Sequence, residues 1–253
     1  MLGLGLGIHK NNRFSGGQTL QQIVDKYGFL NFWSAENLTI IGTTTTALDY
    51  KGEHNLVNPA ATNQPIFNPA SVNFGGKPTL TFSTDDFLKK SISGFRGSDS
   101  TGVTIEIFKI ITGTTIFGLG LYRSGVSTPY INQTSVTSNT FRFINIGGVG
   151  NRSMRGSTNI TSGSFVCSTA STGTSYLIVV NGNNETITEV TGANDGANWF
   201  DDGATTDILC IGKRDNNAAA FSNIEWFASG YMPYTDLATI QNAHNDLRNY
   251  LGI

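Results

Sequence analysis

The sequence predicts an all-β sandwich of two antiparallel sheets, with a short helix before it and another at its end. Three observations carry that expectation. Short apolar runs of strand length recur along the chain, divided by Gly, Pro, Asn and Asp. No long helical pattern is interleaved among them, which excludes a βαβ architecture. The composition joins 11% aromatic residues and 30 glycines to only 13% charged residues in 253. Aromatics at that level build a core, and Thr-rich strands joined by Gly and Asn turns give a polar, weakly charged surface.

The elements follow in order. Leu2, Leu4, Leu6 and Ile8 fall on one side of an extended chain, with Gly between them leaving the other side bare. Gly loses the most entropy on ordering, so this segment needs a surface to lie on. That surface is either its own domain or a neighbouring subunit. Leu20, Ile23, Val24 and Tyr27 then repeat at helical spacing, with Thr19 and Gln22 as a capping box and Gly28 as the stop. Residues 1–28 are accordingly read as a docking arm with a short helix, and 29–253 as the sandwich.

The strand-like runs are Leu38–Ile41, Thr79–Phe82, Val103–Ile111, Thr115–Tyr122, Phe141–Ile146, Tyr176–Val180, Ile208–Ile211 and Glu225–Ser229. The run TIEIFKII alternates poorly and reads as buried on both faces or bulged. Asn181-Gly182 is a strong hairpin signal. At the end, Thr235 is the expected N-cap, with Asp236 in the first turn. Leu237, Ile240, His244, Leu247 and Leu251 make one stripe that Gly252 stops. His244 on that stripe reads as a packed histidine, not a ligand.

The bulk numbers exclude several classes. A net charge of −2 gives no electrostatic case for nucleic acid. No apolar run is long enough to cross a bilayer as a helix. The opening MLGLGLGIHK lacks the basic segment and long apolar block of a signal peptide. Cys167 and Cys210 each lie in an apolar run and read as buried free thiols.

The order of landmarks resembles the concanavalin A-like, laminin G-type jelly-roll domains of bacteriophage structural proteins. NFWSAENLTIIG is followed by ALDYKGEHNLVNP, then by QPIFNPASVNFGGKPTLTFSTDDFL. GTSYLIVVNGNNETITEV is similar to the family's hairpin. The ending DILCIGKRDNNAAAFSNIEWFASGYMPYTDLATIQNAHNDLRNYLGI is similar to its Ile-Gly-Lys, Ile-Glu and Leu-Gly-Ile close. The resemblance covers roughly residues 29–253. It implies a virion component such as a head fibre, capsid decoration or tail appendage. It further implies a homo-oligomer but says little about a ligand; docking on other virion proteins is read from the Leu/Gly arm, and glycan contact from the loop described below.

This fold also hosts lectins and glycosidases, so the site has to be argued separately. A retaining glycosidase needs two carboxylates about 5–5.5 Å apart, an inverting one about 6.5–9.5 Å. The strand around Glu106 offers no second acid. Glu185 and Glu189 share a strand face, but at ~3.3 Å per residue their backbones lie ~13 Å apart. Asp85 and Asp86 are adjacent and would point to opposite faces. The expectation is therefore no enzyme. No His/Cys cluster has zinc spacing, and no Gly-x-Ser-x-Gly elbow is present.

The binding candidate is GANDGANWFDDGATTD, residues Gly192 to Asp207. It gathers Asp195, Asn198, Trp199, Asp201, Asp202 and Asp207 in one Gly-rich loop. An aromatic face suits the apolar side of a sugar ring, and amides and carboxylates bond its hydroxyls. Those carboxylates are also candidates for holding calcium. The competing reading is a solvated loop whose Trp199 folds back as a lid on the core. NRSMRG, with Arg152 and Arg155, is a second candidate. A stand-alone carbohydrate-binding module is the alternative to the virion role, and a glycosidase is the third reading.

Overall fold

The computed structural model describes residues 17–58, 60–83, 86–112, 115–122, 130–147, 150–203, 208–212 and 223–253. The arm residues Leu2, Leu4, Leu6 and Ile8, and Asp85 and Asp207, lie outside them.

After helix α1 (Leu20–Lys26) come β1 (Asn31–Ile41), β2 (Thr44–Asp49), β3 (Leu56–Val57), β4 (Ile66–Ser71), β5 (Lys77–Phe82) and β6 (Leu88–Ser91). Next are β7 (Gly102–Ile110), β8 (Thr115–Tyr122), β9 (Tyr130–Thr137), β10 (Thr140–Gly147), β11 (Gly150–Arg155) and β12 (Ser164–Ser171). The chain closes with β13 (Tyr176–Val180), β14 (Asn183–Asn184), β15 (Thr188–Thr191), β16 (Ile208–Ile211), β17 (Ile224–Met232) and helix α2 (Leu237–Leu251).

Every pairing is antiparallel, and the strands fall into two layers. The first layer runs β4–β5–β17–β7–β12–β13–β14. The second runs β2–β3–β6–β16–β8–β9–β10–β11–β15. β1 belongs to both. Its residues 31–34 pair with β17 and residues 38–41 with β2, across a register break between Trp33 and Leu38.

Alternation along the strands sorts side chains into separate cores. Between the layers lie Trp33, Leu80, Phe82, Phe108 and Trp226 from one sheet, and Leu119, Leu121, Phe141, Phe143 and Leu209 from the other. Val103, Ile105, Ile107, Val166, Val179 and Phe227 point the other way, to where the helices lie. β7 is thus buried on both faces, as TIEIFKII implied. β17 has a bulge between Trp226 and Ala228, which lets Phe227 and Ala228 both join the helix-side core.

Leu20, Ile23 and Val24 of α1 enter this same core beside Ile240, Leu247 and Leu251 of α2. Burying each such side chain contributes roughly 1.5–3 kcal/mol. α1 therefore packs into the same core as α2. Its capping box forms as read: Thr19 Oγ1 accepts from Gln22 N at 3.2 Å, and Thr19 N donates to Gln22 Oε1 at 2.8 Å. α2 differs by one residue at its start. Asp236, not Thr235, is the N-cap, and its carboxylate accepts from Thr239 N at 2.6 Å. A carboxylate at that position serves both the free amide and the helix dipole.

The Asn181-Gly182 turn has both residues at positive φ, 50° and 84°, as a type I′ hairpin requires. It also anchors α2. Gln241 Nε2 donates to Gly182 O at 2.9 Å, and Gly182 N donates to His244 Nδ1 at 3.1 Å. Nδ1 is thereby an acceptor, so the ring proton sits on Nε2 and is donated to Ser168 Oγ at 2.6 Å. Burial, helped by Arg248, pulls the His244 pKa down from 6.5 to about 3. His244 is a neutral, doubly bonded core histidine. Cys167 and Cys210 are both buried, and neither is in a disulfide with another described residue.

Glu106 is the other buried titratable group. It faces inward on β7, against the backbone of Gly118, with Cys167 and Ser229 opposite it on the flanking strands. Burial pushes its carboxyl from 4.5 up to about 8, partly offset by the Leu119 amide.

The two groups act in opposite directions. His244 supports the fold above pH 6.5 and withdraws that support as the pH falls towards about 3. Glu106 favours the fold below pH 4.5 and costs stability as the pH rises towards about 8. Each slope approaches ~1.4 kcal/mol per pH unit. Urea unfolding should show that Glu106→Gln removes the loss above pH 4.5. An unchanged pH profile in that variant would contradict a protonated Glu106.

Candidate functional site

The loop from Gly192 to Asp207 was expected to offer a sugar platform; its residues 204–207 lie outside the described residues, and in the rest Trp199 faces inward. Trp199 and Asn198 are both 0% exposed. The indole packs on Phe143 and Phe200, with ring centroids 5.3 and 5.2 Å away. Its faces are covered, so Trp199 cannot stack on a ligand in this structure. The reading that it closes the core is the one the structure supports.

The rest of the segment is a clasp. Asn198 N donates to the Tyr176 hydroxyl at 2.9 Å, which donates in turn to Asn198 O at 2.8 Å. Asn198 Nδ2 donates to Gly150 O at 2.5 Å. Asp195 receives Arg152 through two bonds, Nε to Oδ1 at 2.9 Å and Nη2 to Oδ2 at 2.6 Å. This parallel pairing is the geometry a guanidinium makes with a carboxylate, and it holds the Asp195 pKa below the usual carboxylate range. The two segments singled out separately, NRSMRG and the Trp199 loop, therefore meet and neutralise each other. Asp201 contributes through its backbone, whose N–H donates to Asp99 O at 3.1 Å. Asp202 lies in the 3-10 turn Phe200–Gly203. Among the described residues, no three His, Cys, Asp or Glu side chains gather as a metal site.

The bond from Asp201 to Asp99 leads to an open pocket of about 260 Å3. It is lined by Leu30, Arg96, Ser98, Asp99, Ser100, Thr101, Tyr231 and Pro233. Its floor is Tyr231, near the end of β17. The Tyr231 hydroxyl lies 2.9 Å from Asp99 Oδ2 and 3.1 Å from Thr101 O and donates between them. Burial, with the Asp99 carboxylate beside it, raises the phenol pKa above its ordinary range, so it keeps its proton. Phe200 and Phe95 support the ring from behind, with centroids 4.9 and 6.5 Å away. The Trp199 N–H makes no hydrogen bond of good geometry, yet it lies near enough to the Tyr231 hydroxyl to act on its ionisation.

One wall is the turn Gly94–Thr101. Arg96 has φ of 55°, a left-handed backbone uncommon outside Gly and Asn. Asp99 N donates to Arg96 O at 2.9 Å and closes the turn. Arg96 Nε donates to Asp99 Oδ2 at 2.8 Å, and its guanidinium carbon sits 5.2 Å from the Tyr231 ring centroid. Ser98 Oγ reaches Asp99 Oδ1 at 3.3 Å. Leu30 and Pro233 form the apolar side.

This turn was missed in the sequence because its partner is distant: Asp99 and Tyr231 are 132 residues apart. The local signal was GFRGSDST, an Arg framed by two glycines and followed by three hydroxyl residues and one acid.

The carboxylates weighed for hydrolysis are engaged elsewhere. Glu185 accepts from Ser157 Oγ at 2.9 Å and Thr158 Oγ1 at 2.7 Å, and so holds that turn. Glu189 accepts from Asn194 N at 2.8 Å. Asp86 accepts from Ser83 N and Oγ at 2.9 and 2.7 Å. On the outer face of the second layer, Gln133 and Ser135 are buried, and their side-chain polar atoms have no hydrogen-bond partner among the described residues.

No family model matches the chain, and no curated protein matches it. Solved structures do. Trypanosoma rangeli sialidase in complex with sialic acid aligns with a TM-score of 0.59 at 12% identity, over 88% of this chain and 33% of the sialidase. The binding domain of botulinum neurotoxin serotype D/C aligns with a TM-score of 0.56 at 12% identity, over 89% of this chain and 53% of that one. The chain thus spans a third of the sialidase and about half of the toxin domain. Likeness at this identity establishes the fold alone, an all-β sandwich.

Trp199→Ala should cost roughly 3–5 kcal/mol of stability, as for other buried aromatics. Chemical denaturation measures this, and a loss under ~1 kcal/mol would contradict a core role for the indole.

Proposed function

We propose that this chain is a non-enzymatic glycan-binding sandwich whose sugar site is the pocket over Tyr231. One observation carries the reading: an apolar side, Leu30 and Pro233, stands in one small pocket with a guanidinium and four hydroxyl side chains, Ser98, Ser100, Thr101 and Tyr231. That division matches a sugar ring, which has an apolar side and a periphery of hydroxyls. The volume, about 260 Å3, lies below the roughly 300–1,000 Å3 of drug-sized sites. It therefore suits one terminal ring of a longer glycan. The similar sialidase structure holds sialic acid, so the fold is one that proteins acting on sugars employ.

The non-catalytic part rests on the carboxylates. Asp99 already receives Arg96, Tyr231 and Ser98. Glu106 is buried away from the pocket, between the layers.

We also propose that the module is carried on a bacteriophage particle and docks through Leu2, Leu4, Leu6 and Ile8. The landmark order of the sequence supports this. Mass spectrometry of purified particles should find the chain at a fixed copy number, and its absence from them would overturn the docking role.

Ser98 is exposed at the pocket mouth, so Ser98→Trp should fill the site without disturbing the core. On a glycan array the wild type should bind and Ser98→Trp should not, at an unchanged melting temperature. Equal binding by both would move the sugar site elsewhere.

A further inference from the structure

We infer that the pocket selects glycans ending in a carboxylate-bearing sugar, such as a uronic or nonulosonic acid, and that Arg96 grips the carboxylate. This inference rests on the glycan-binding reading and sharpens it.

The argument is an inventory of what the pocket leaves unbonded. The Asp99 carboxylate already takes Arg96 Nε at 2.8 Å, the Tyr231 hydroxyl at 2.9 Å and Ser98 Oγ at 3.3 Å. It has little capacity left to accept from a sugar hydroxyl. The Thr101 carbonyl is shared with Tyr231, and the Ser100 carbonyl accepts from Ser171 Oγ at 3.3 Å. The acceptors of this wall are thus largely engaged.

The donors are not. The two terminal nitrogens of Arg96 bond to nothing among the described residues, and the side chain is 23% exposed at the pocket. Both terminal nitrogens carry two N–H groups, and together they form the planar fork that meets a carboxylate through two parallel bonds. The hydroxyls of Ser100 and Thr101, on the same wall, make no hydrogen bond among the described residues and can both donate and accept. With the Asp99 carboxylate engaged, the charged group left to bond is the Arg96 fork, which favours an anionic group over a neutral ring.

The fork is also fixed in place. Asp99 holds Nε, the Tyr231 ring lies under the guanidinium, and the left-handed backbone of Arg96 is locked by the Asp99 N–H. Left-handed non-glycine residues cluster where a side chain has to be presented in one direction. A preorganised fork loses little entropy on binding. Asp201 is tied to this wall through its own backbone N–H.

The test uses the full chain and oligosaccharides ending in glucuronic or N-acetylneuraminic acid, each beside its carboxyl methyl ester and a galactose-terminated control. Affinities are read by calorimetry for the wild type, Arg96→Lys and Arg96→Asn. Asn tolerates the left-handed backbone, so the second variant removes the fork without adding strain. The expected result is wild-type binding of the acids roughly 10- to 100-fold tighter than their esters. That preference should shrink in Arg96→Lys and disappear in Arg96→Asn. Equal affinity for acids, esters and galactose would overturn the inference and leave glycan binding standing. An acid preference that survives in Arg96→Asn would also overturn it. Binding to none of the probes would overturn both readings.

Discussion

β17 lies between β7 on one side and β5 and β1 on the other, and all nine of its residues are buried. A strand in that position has no solvent face, so each side chain must fit one of two cores. Trp226 and Tyr231 go between the sheets, and Phe227 and Met232 go under the helices. The bulge at Phe227 sets that division. Gly230 has no room for a Cβ because Phe29 and Phe32 press against it. The strand's position is therefore fixed to within a side chain, and whatever stands at its end inherits that precision.

Tyr231 stands there. Its ring is held by Phe95 and Phe200 and its hydroxyl by Asp99 and Thr101, with the Trp199 indole close beneath. Three distant segments converge on one phenol: the turn before β7, the loop before β16 and the last strand. Rigid elements place binding groups more accurately than mobile loops do. Arg96 gains from this, because its guanidinium lies over that ring and its Nε bonds to the same carboxylate.

Much of the fold was legible because it is local. The capping box at Thr19, the type I′ turn at Asn181-Gly182, the doubly buried TIEIFKII run and the α2 stripe are each read from neighbours in sequence. β9 and β11 were not, since YINQTSVT and GNRSMR lack the apolar alternation that signals a strand. Their residues pair because hydrogen-bonded neighbours fix them in place. The site was legible only in part. Asp195, Asn198, Trp199 and Asp201 were recognised as a cluster, but burial cannot be seen in a loop's composition, and Trp199 faces inward. The Arg96 turn acquires its meaning from Tyr231, which sequence spacing cannot reveal.

The most direct test of the account is where a ligand lands on the folded protein. Two-dimensional amide spectra recorded during titration with an acid-terminated trisaccharide report this residue by residue. The account predicts shifts centred on Leu30, Arg96 and Ser98 to Thr101, fading along β17 from Tyr231. Shifts centred instead on Gln133 and Ser135, or on the Arg152–Asp195 clasp, with the Arg96 turn unmoved, would contradict it.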